Sequence, residues 1–346
     1  MTLTFNIIYT PGTVHFLSPF VDSLLRHSDC MFRLVSNGCL LPEQKILQHV
    51  CQADSRLEYF RYPSTTMVDH GRVLNHLHSM TTDPFFCFMD SDILATDQFP
   101  GSFQREIDKG RSVFSAPPIW MTPAQGILSD TFQTISGVHH SMQSGVCLGS
   151  SYFAIYHNDS LKKCIQESGV GFQTYTESEI PVAVKKTLKS HGWLKSGGYD
   201  TAKVLNLLLT ANGHDLHYAE NDSMVHIGGF SFLSGSSDAE LNSAQAFSQP
   251  LGRVLAFARN VNRRRAALRE LGCLSRREKR AIVKRRLEQR DPVRRYFRSL
   301  LISLACGKSL PSLPHIGVKE IDAKLRTATE LITKTTTDSE KVRAAG

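Results

Sequence analysis

Asp90 and Asp92 stand one residue apart, directly after the apolar run Phe85-Phe86-Cys87-Phe88-Met89. Alternate residues of an extended chain point the same way, so the D-x-D tip can aim two carboxylates at one point. Two hard oxygen donors suit Mg²⁺ or Mn²⁺ held against phosphate groups. The competing reading is a polar strand end, with Asp92 capping the next element. The histidines offer less. His139-His140 reads as loop surface, His76 and His78 lie two apart on a helix and face different ways, and His214 and His217 flank a turn. Trp120, on a loop after a strand, could stack on a sugar or pack as core.

The elements before the acid pair alternate. Leu3–Thr10, Met31–Val35, Leu57–Arg61 and Phe85–Met89 read as strands, and Phe16–His27, Leu41–Cys51 and Met67–Met80 as helices with apolar residues on one face. Pro42 suits the first turn of the second helix. This alternation predicts an α/β fold, a mainly parallel sheet with helices on both faces. In such sheets ligands bind at the carboxyl ends of the strands, where Asp90 and Asp92 fall. Later, Ser112–Ser115, Val146–Tyr156, His217–Ala219 and Ser223–Ile227 read as strands. Ser160–Ser168 and Thr201–Ala211 read as helices, the second closed by Asn212-Gly213. We expect a first domain over 1–235, a basic helical appendage over 236–334 and a frayed tail over 335–346.

The chain has 346 residues, 41% of them hydrophobic, enough for a large core. No window is long and apolar enough for a membrane span, and the N-terminus reads as a first strand and not a signal peptide. The eight cysteines form no C-x-x-C, which argues for reduced structural thiols, a cytosolic location and no zinc site. The net charge of +8 is uneven: residues 253–298 hold seventeen Lys/Arg and four Asp/Glu, a net of +13 that leaves −5 for the rest.

The stretch around Asp90-Ser91-Asp92 resembles the D-x-D of nucleotide-sugar glycosyltransferases of the GT-A fold, family 2 in particular. His70-Gly71-Arg72-Val73-Leu74-Asn75 is similar to the G-x-x-x-N stretch that precedes that strand. Cys147–Ile155 resembles the Gly-containing strand of the acceptor side, Gly197-Gly198-Tyr199-Asp200 the acidic motif before a helix, and Val225-His226-Ile227-Gly228-Gly229 the His-x-Gly-Gly closing element. The resemblance covers about residues 3–232 and implies a GT-A fold and a hexosyltransferase. The donor would be a nucleotide sugar, UDP-linked as first choice, and the acceptor a hydroxyl of a saccharide or lipid-linked glycan of the cell envelope. By the same resemblance Asp92 and His226 ligate Mn²⁺ or Mg²⁺, and Asp90 serves the metal and the ribose. Thr10, Pro11, Asn37, Arg72 and Asn75 border the nucleotide. Asn37 stands where relatives carry an aspartate for uracil, and Tyr199 where they carry a second acid. Asp200 is either the general base of an inverting transfer or a cap of the following helix.

The basic run, with interleaved Val, Leu, Ile and Phe, reads first as attachment to an anionic membrane face, which would place the protein at the inner side of the membrane. Nucleic-acid binding is the lesser reading, since no known module is present. The third is an appendage packing its apolar stripe on the first domain or on a second copy. Two rivals stand beside the enzyme reading. One is a GT-A-like scaffold without turnover that binds through the basic helices. The other, a haloacid-dehalogenase-like phosphatase, normally carries Gly-Thr or similar where this chain has Ile93-Leu94.

Overall fold

The computed structural model describes residues 2–129, 132–229, 280 and 284–345. A seven-stranded sheet forms the centre. Its strands are β1 (Thr4–Tyr9), β2 (Met31–Ser36), β3 (Leu57–Arg61), β4 (Phe85–Met89), β6 (Ser112–Phe114), β10 (Phe153–His157) and β12 (Leu216–Tyr218). Their order is β12-β6-β10-β4-β1-β2-β3. All run parallel except β10, which pairs antiparallel with β4 and β6. The small strands β5 (Ile93–Ala95), β7 (Ile127–Leu128), β8 (Thr134–Ile135), β9 (Ser141–Met142), β11 (Gly198–Tyr199) and β13 (Met224–His226) pair as β5–β13, β7–β9 and β8–β11.

Period-two alternation sends side chains to opposite faces. Phe5, Ile7, Phe32, Leu34, Cys87 and Met89 pack under α1 (Leu17–Arg26), α2 (Leu41–Ala53) and α4 (Pro100–Asp108). Val35, Phe86, Phe88, Ala154 and Tyr156 pack under α3 (His70–Met80), α5 (Asn158–Ser168), α6 (Val182–Ser190) and α7 (Lys203–Ala211). The expected layering, helices on both faces of a mainly parallel sheet, is therefore present.

Three differences from the expected elements have physical causes. Only Phe153–His157 of the expected strand Val146–Tyr156 is regular. Gly149 takes a left-handed φ of 65°, and a Cβ there would meet Asn206 and Phe114, so the chain turns before β10 can start. Helix α3 begins at His70 and not at Met67, because Asn37 holds the backbone of Val68 outside the helix. His139 and His140 are buried and not loop surface, and His140 stacks on Tyr218 with ring centroids 3.9 Å apart.

The expected boundary at 235/236 and most of the basic run lie outside the described residues. Two later helices are described, α8 (Asp291–Ala305) and α9 (Lys319–Ala345). The α8 residues Val293, Tyr296, Phe297, Leu300 and Leu301 join Ile321, Leu325, Ala328 and Ile332 of α9 in a third core. That core also takes Phe16 and Phe20, Leu94, and Ile119 and Trp120. The apolar stripe of α8 thus faces the first domain. The backbone of α9 stays helical through 335–345, where polar composition predicts fraying. Among the described residues no helix is long and apolar enough to cross a membrane.

Candidate functional site

Asp90 and Asp92 leave the carboxyl end of β4. The next three residues form β5, which pairs antiparallel with β13 and sets His226 opposite Ile93. The amide of Ile227 donates to the carbonyl of Asp92 at 3.1 Å. This small sheet brings together residues more than a hundred positions apart. Nε2 of His226 lies 3.1 Å from Asp92 Oδ1 and 3.5 Å from Asp90 Oδ2. One ligand atom from each of Asp90, Asp92 and His226 falls within 4.8 Å of the others.

The imidazole is held from behind. Nδ1 lies 2.9 Å from the carbonyl of Ala116, which can only accept, so Nδ1 carries the hydrogen. Nε2 is left buried and facing the two carboxylates. Burial works against charge on His226, but the carboxylates of Asp92 and Asp90 outweigh it and hold its pKa up at about 10. Besides a proton, the species that suits two carboxylates and an imidazole nitrogen converging in a buried corner is a divalent cation. The Asp92 side chain is 2% exposed and that of Asp90 35%, so the corner opens on one side only. Ala116, which supplies the carbonyl, is one of two described non-glycine residues with positive φ. The other, Ala202, stands two residues after Asp200. Backbone strain of this kind gathers where geometry is over-determined.

Asp200 accepts the amide of Gly137 on Oδ2 at 2.7 Å and that of Thr201 on Oδ1 at 2.8 Å. The residue that caps α7 is Ala202, with no side-chain bond, so Asp200 holds a loop and its own turn instead. Tyr199, in place of the second acid, is buried. Its hydroxyl accepts the amide of Lys195 and donates to the carbonyl of Trp193.

Of the expected nucleotide residues, Thr10, Pro11, Asn37 and Asp90 follow the carboxyl ends of β1, β2 and β4, and Arg72 and Asn75 lie on α3. Asn37 donates to the carbonyl of Val68 at 2.8 Å and accepts its amide at 2.9 Å. Its carboxamide therefore positions the segment before α3. Asn75 accepts the amide of Phe172 and donates to Gln173. Thr10 and Pro11 lie in the turn after β1, and Thr10 Oγ1 is buried without a hydrogen bond. Arg72 is exposed at the start of α3 and lines an open cleft of about 450 Å³, together with Asp69, His70, Tyr175, Glu179 and Thr201. Trp120 is buried in the third core and is not a sugar platform open to solvent.

No protein-family model and no curated protein matches the chain. Solved structures do. The chain is similar to TarS of S. aureus (12% identity, 65% of this chain and 36% of that one, TM-score 0.38). It is similar to the glycosyltransferase GlyE of Streptococcus pneumoniae TIGR4 (14%, 72% and 52%, 0.36) and to an active-site mutant of LgtC (8%, 68% and 96%, 0.40). The match thus spans about a third of TarS and about half of GlyE. The sheet order, the lone antiparallel β10 beside β4 and the acid pair at the end of β4 decide the architecture. The fold is GT-A-like.

Within this GT-A-like frame, sequence reasoning missed two residues that brace the site and one that lines its cleft. Glu43, 1% exposed, accepts the amide of Gly12 at 2.6 Å and that of Leu40 at 2.8 Å, tying the turn after β1 to the start of α2. Lys203, fully buried, donates to the carbonyls of His139 and Gly149, each at 2.6 Å. Burial brings its pKa down to about 8, against the pull of Asp200. His70 lines the cleft within the field of both Asp90 and Asp200, and burial outweighs them and lowers its pKa. A signal existed for Lys203 alone, a lysine at the head of Val204–Leu209, a run apolar but for Asn206, because a helix apolar nearly all round is a buried one.

Proposed function

We propose that the chain is a divalent-metal-dependent glycosyltransferase that moves a hexosyl group from a UDP-sugar to a hydroxyl of a saccharide or lipid-linked glycan. The observation that carries this is the convergence of Asp90, Asp92 and His226 at the carboxyl end of β4, with the buried Nε2 turned to both carboxylates. Asp92 and His226 hold the cation, and Asp90, the exposed member, faces the donor. When bound, Mn²⁺ or Mg²⁺ supplies positive charge that stabilises the departing diphosphate. The turn at Thr10 and Pro11, tied down by Glu43, lies beside the nucleobase. Asn37 and Asn75 act by setting the chain around α3, and Arg72 reaches the donor from that helix. Asp200 is the base of an inverting reaction. Both of its oxygens accept a backbone amide and keep a lone pair, which fixes the carboxylate for the acceptor's hydroxyl proton. The acceptor lies in the cleft beside Thr201. The charge of residues 253–298 supports work at an anionic membrane face, and the inward-packed stripe of α8 leaves that role to the residues before it.

The test is thermal stabilisation of the purified chain by nucleotides and nucleotide sugars, with Mn²⁺ or with chelator. A Mn²⁺-dependent rise in Tm with UDP or a UDP-sugar, abolished by Asp92→Ala, is expected. No rise with any nucleotide overturns the reading. Sedimentation with anionic vesicles tests the location, and a chain that never pellets with them excludes the membrane face.

A further inference from the structure

We infer that Arg294, on α8, is a positioning residue for His226, and through it for the metal centre. This rests on the metal reading above. Arg294 belongs by sequence to the basic run, but it is turned inward. Its Nε donates to the carbonyl of Gly228 at 2.8 Å, and its guanidinium carbon lies 5.8 Å from the centre of the Trp120 ring. The same carbonyl accepts Nε1 of Trp120 at 3.3 Å. One peptide plane, two residues after His226, is thus held by two donors at once.

The Gly228-Gly229 pair explains how they fit. Both residues have positive φ, 80° and 96°, which L side chains rarely adopt. A Cβ on Gly229 would overlap the guanidinium of Arg294, and one on Gly228 would meet Pro118 and Trp120 Nε1. The two glycines leave bare backbone on which a planar cation and an indole can lie. Pro118 and Ile119 then return to the site, since Pro118 bridges to His226 and the Ile119 amide donates to the His226 carbonyl at 2.8 Å. The contacts form one continuous path: Arg294, Gly228, Trp120 and Pro118, His226, Asp92.

The other end of the path is packed into the third core. Val293 and Phe297, beside Arg294 on α8, are fully buried, and Tyr296 meets Thr329 of α9 at 3.0 Å between hydroxyls. The packing of α8 is therefore set away from the site, and Arg294 carries that position to the exit of β13. Lysine cannot replace it, because a point ammonium lacks the flat face that stacks on Trp120 while a side nitrogen bonds Gly228.

The experiment is Mn²⁺ titration of the full chain by electron paramagnetic resonance, with Tm measured alongside. Arg294→Met and Arg294→Lys are expected to weaken Mn²⁺ binding about tenfold, the low end of what outer partners of a metal ligand give. Phe297→Leu loosens α8 without touching Gly228. It should lower Tm and leave Mn²⁺ affinity within about twofold of wild type. Wild-type affinity in both Arg294 variants overturns the inference alone. So does an equal loss of affinity in Phe297→Leu, which would make the effect general loosening. A wild-type chain that binds no Mn²⁺ overturns the metal centre and the inference with it.

Discussion

Thr10 and Asn37 sit at the ends of neighbouring parallel strands, whereas Asp200 and Gly137 meet between loops on the other side of β4. The strand-end side inherits its geometry from ladder hydrogen bonds, since β1 and β2 stay in register through Tyr9 and Ser36. Side chains only trim it there: Glu43 at Gly12 and Asn37 at Val68. The loop side has little ladder. Its backbone is held by side chains reaching out from α7 and the turn before it. Asp200 takes the amide of Gly137, Lys203 binds two carbonyls, and Asn206 donates to the carbonyl of Leu148 while accepting the hydroxyl of Tyr156. A binding surface made by strand ends spreads its support over many bonds. One made by side chains concentrates it in three or four residues, so point substitutions there should act strongly.

The largest effect expected from that contrast is kinetic. Asp200→Asn should lower transfer by about 10²- to 10⁴-fold, the range for a lost general base, while Mn²⁺-dependent nucleotide stabilisation persists. Turnover near wild type would reduce Asp200 to a support of the Gly137 loop. Next, Lys203→Met should cost about 2–4 kcal/mol in urea unfolding, because two buried carbonyls lose a charged donor. A loss below about 1 kcal/mol would erase the contrast. On the strand-end side Asn37→Ala should cost only about 1–2 kcal/mol, with nucleotide binding weakened as the segment before α3 loosens. The last prediction concerns acid. Burial pushes the pKa of His139 down to about 3 in the folded chain, against an ordinary value of 6.5. The unfolded chain takes a proton that the folded chain refuses, so stability falls as pH drops from about 6.5 toward 3. His139→Gln should flatten that slope by about one proton's worth, read from urea midpoints at pH 6.5 and 4.5. An unchanged slope would show that His139 titrates freely.

Legibility in the sequence divides along the same line. Strands β1 to β4 and helices α1 and α2 announce themselves by period, and Asp90 and Asp92 by the strand they end. The loop side gives no such pattern. Lys203 and Asn206 act through carbonyls more than fifty residues away, and no local rule connects them. Strand β5 is three residues long and has meaning only once β13 pairs with it. Helix α4 was the avoidable miss, with Pro100 at its first turn and Phe103 and Ile107 four apart. Arg294 looks like one charge among seventeen until α8 has a partner.

The place of β10 in the sheet fixes an order of assembly. Strands β3, β2, β1 and β4 are contiguous in space and complete by residue 89, so the emerging chain can pair them as soon as they leave the ribosome. Strand β6 is the next of this sheet, but its neighbours among the described residues are β10 and β12, both made later. Until β10 inserts, β4 is an unprotected edge, and edges of this kind recruit other chains. The acid pair at its tip waits longer still for β13. Synthesis halted between 114 and 153 would therefore leave half a sheet with an open flank, and aggregation should be worst for truncations ending there.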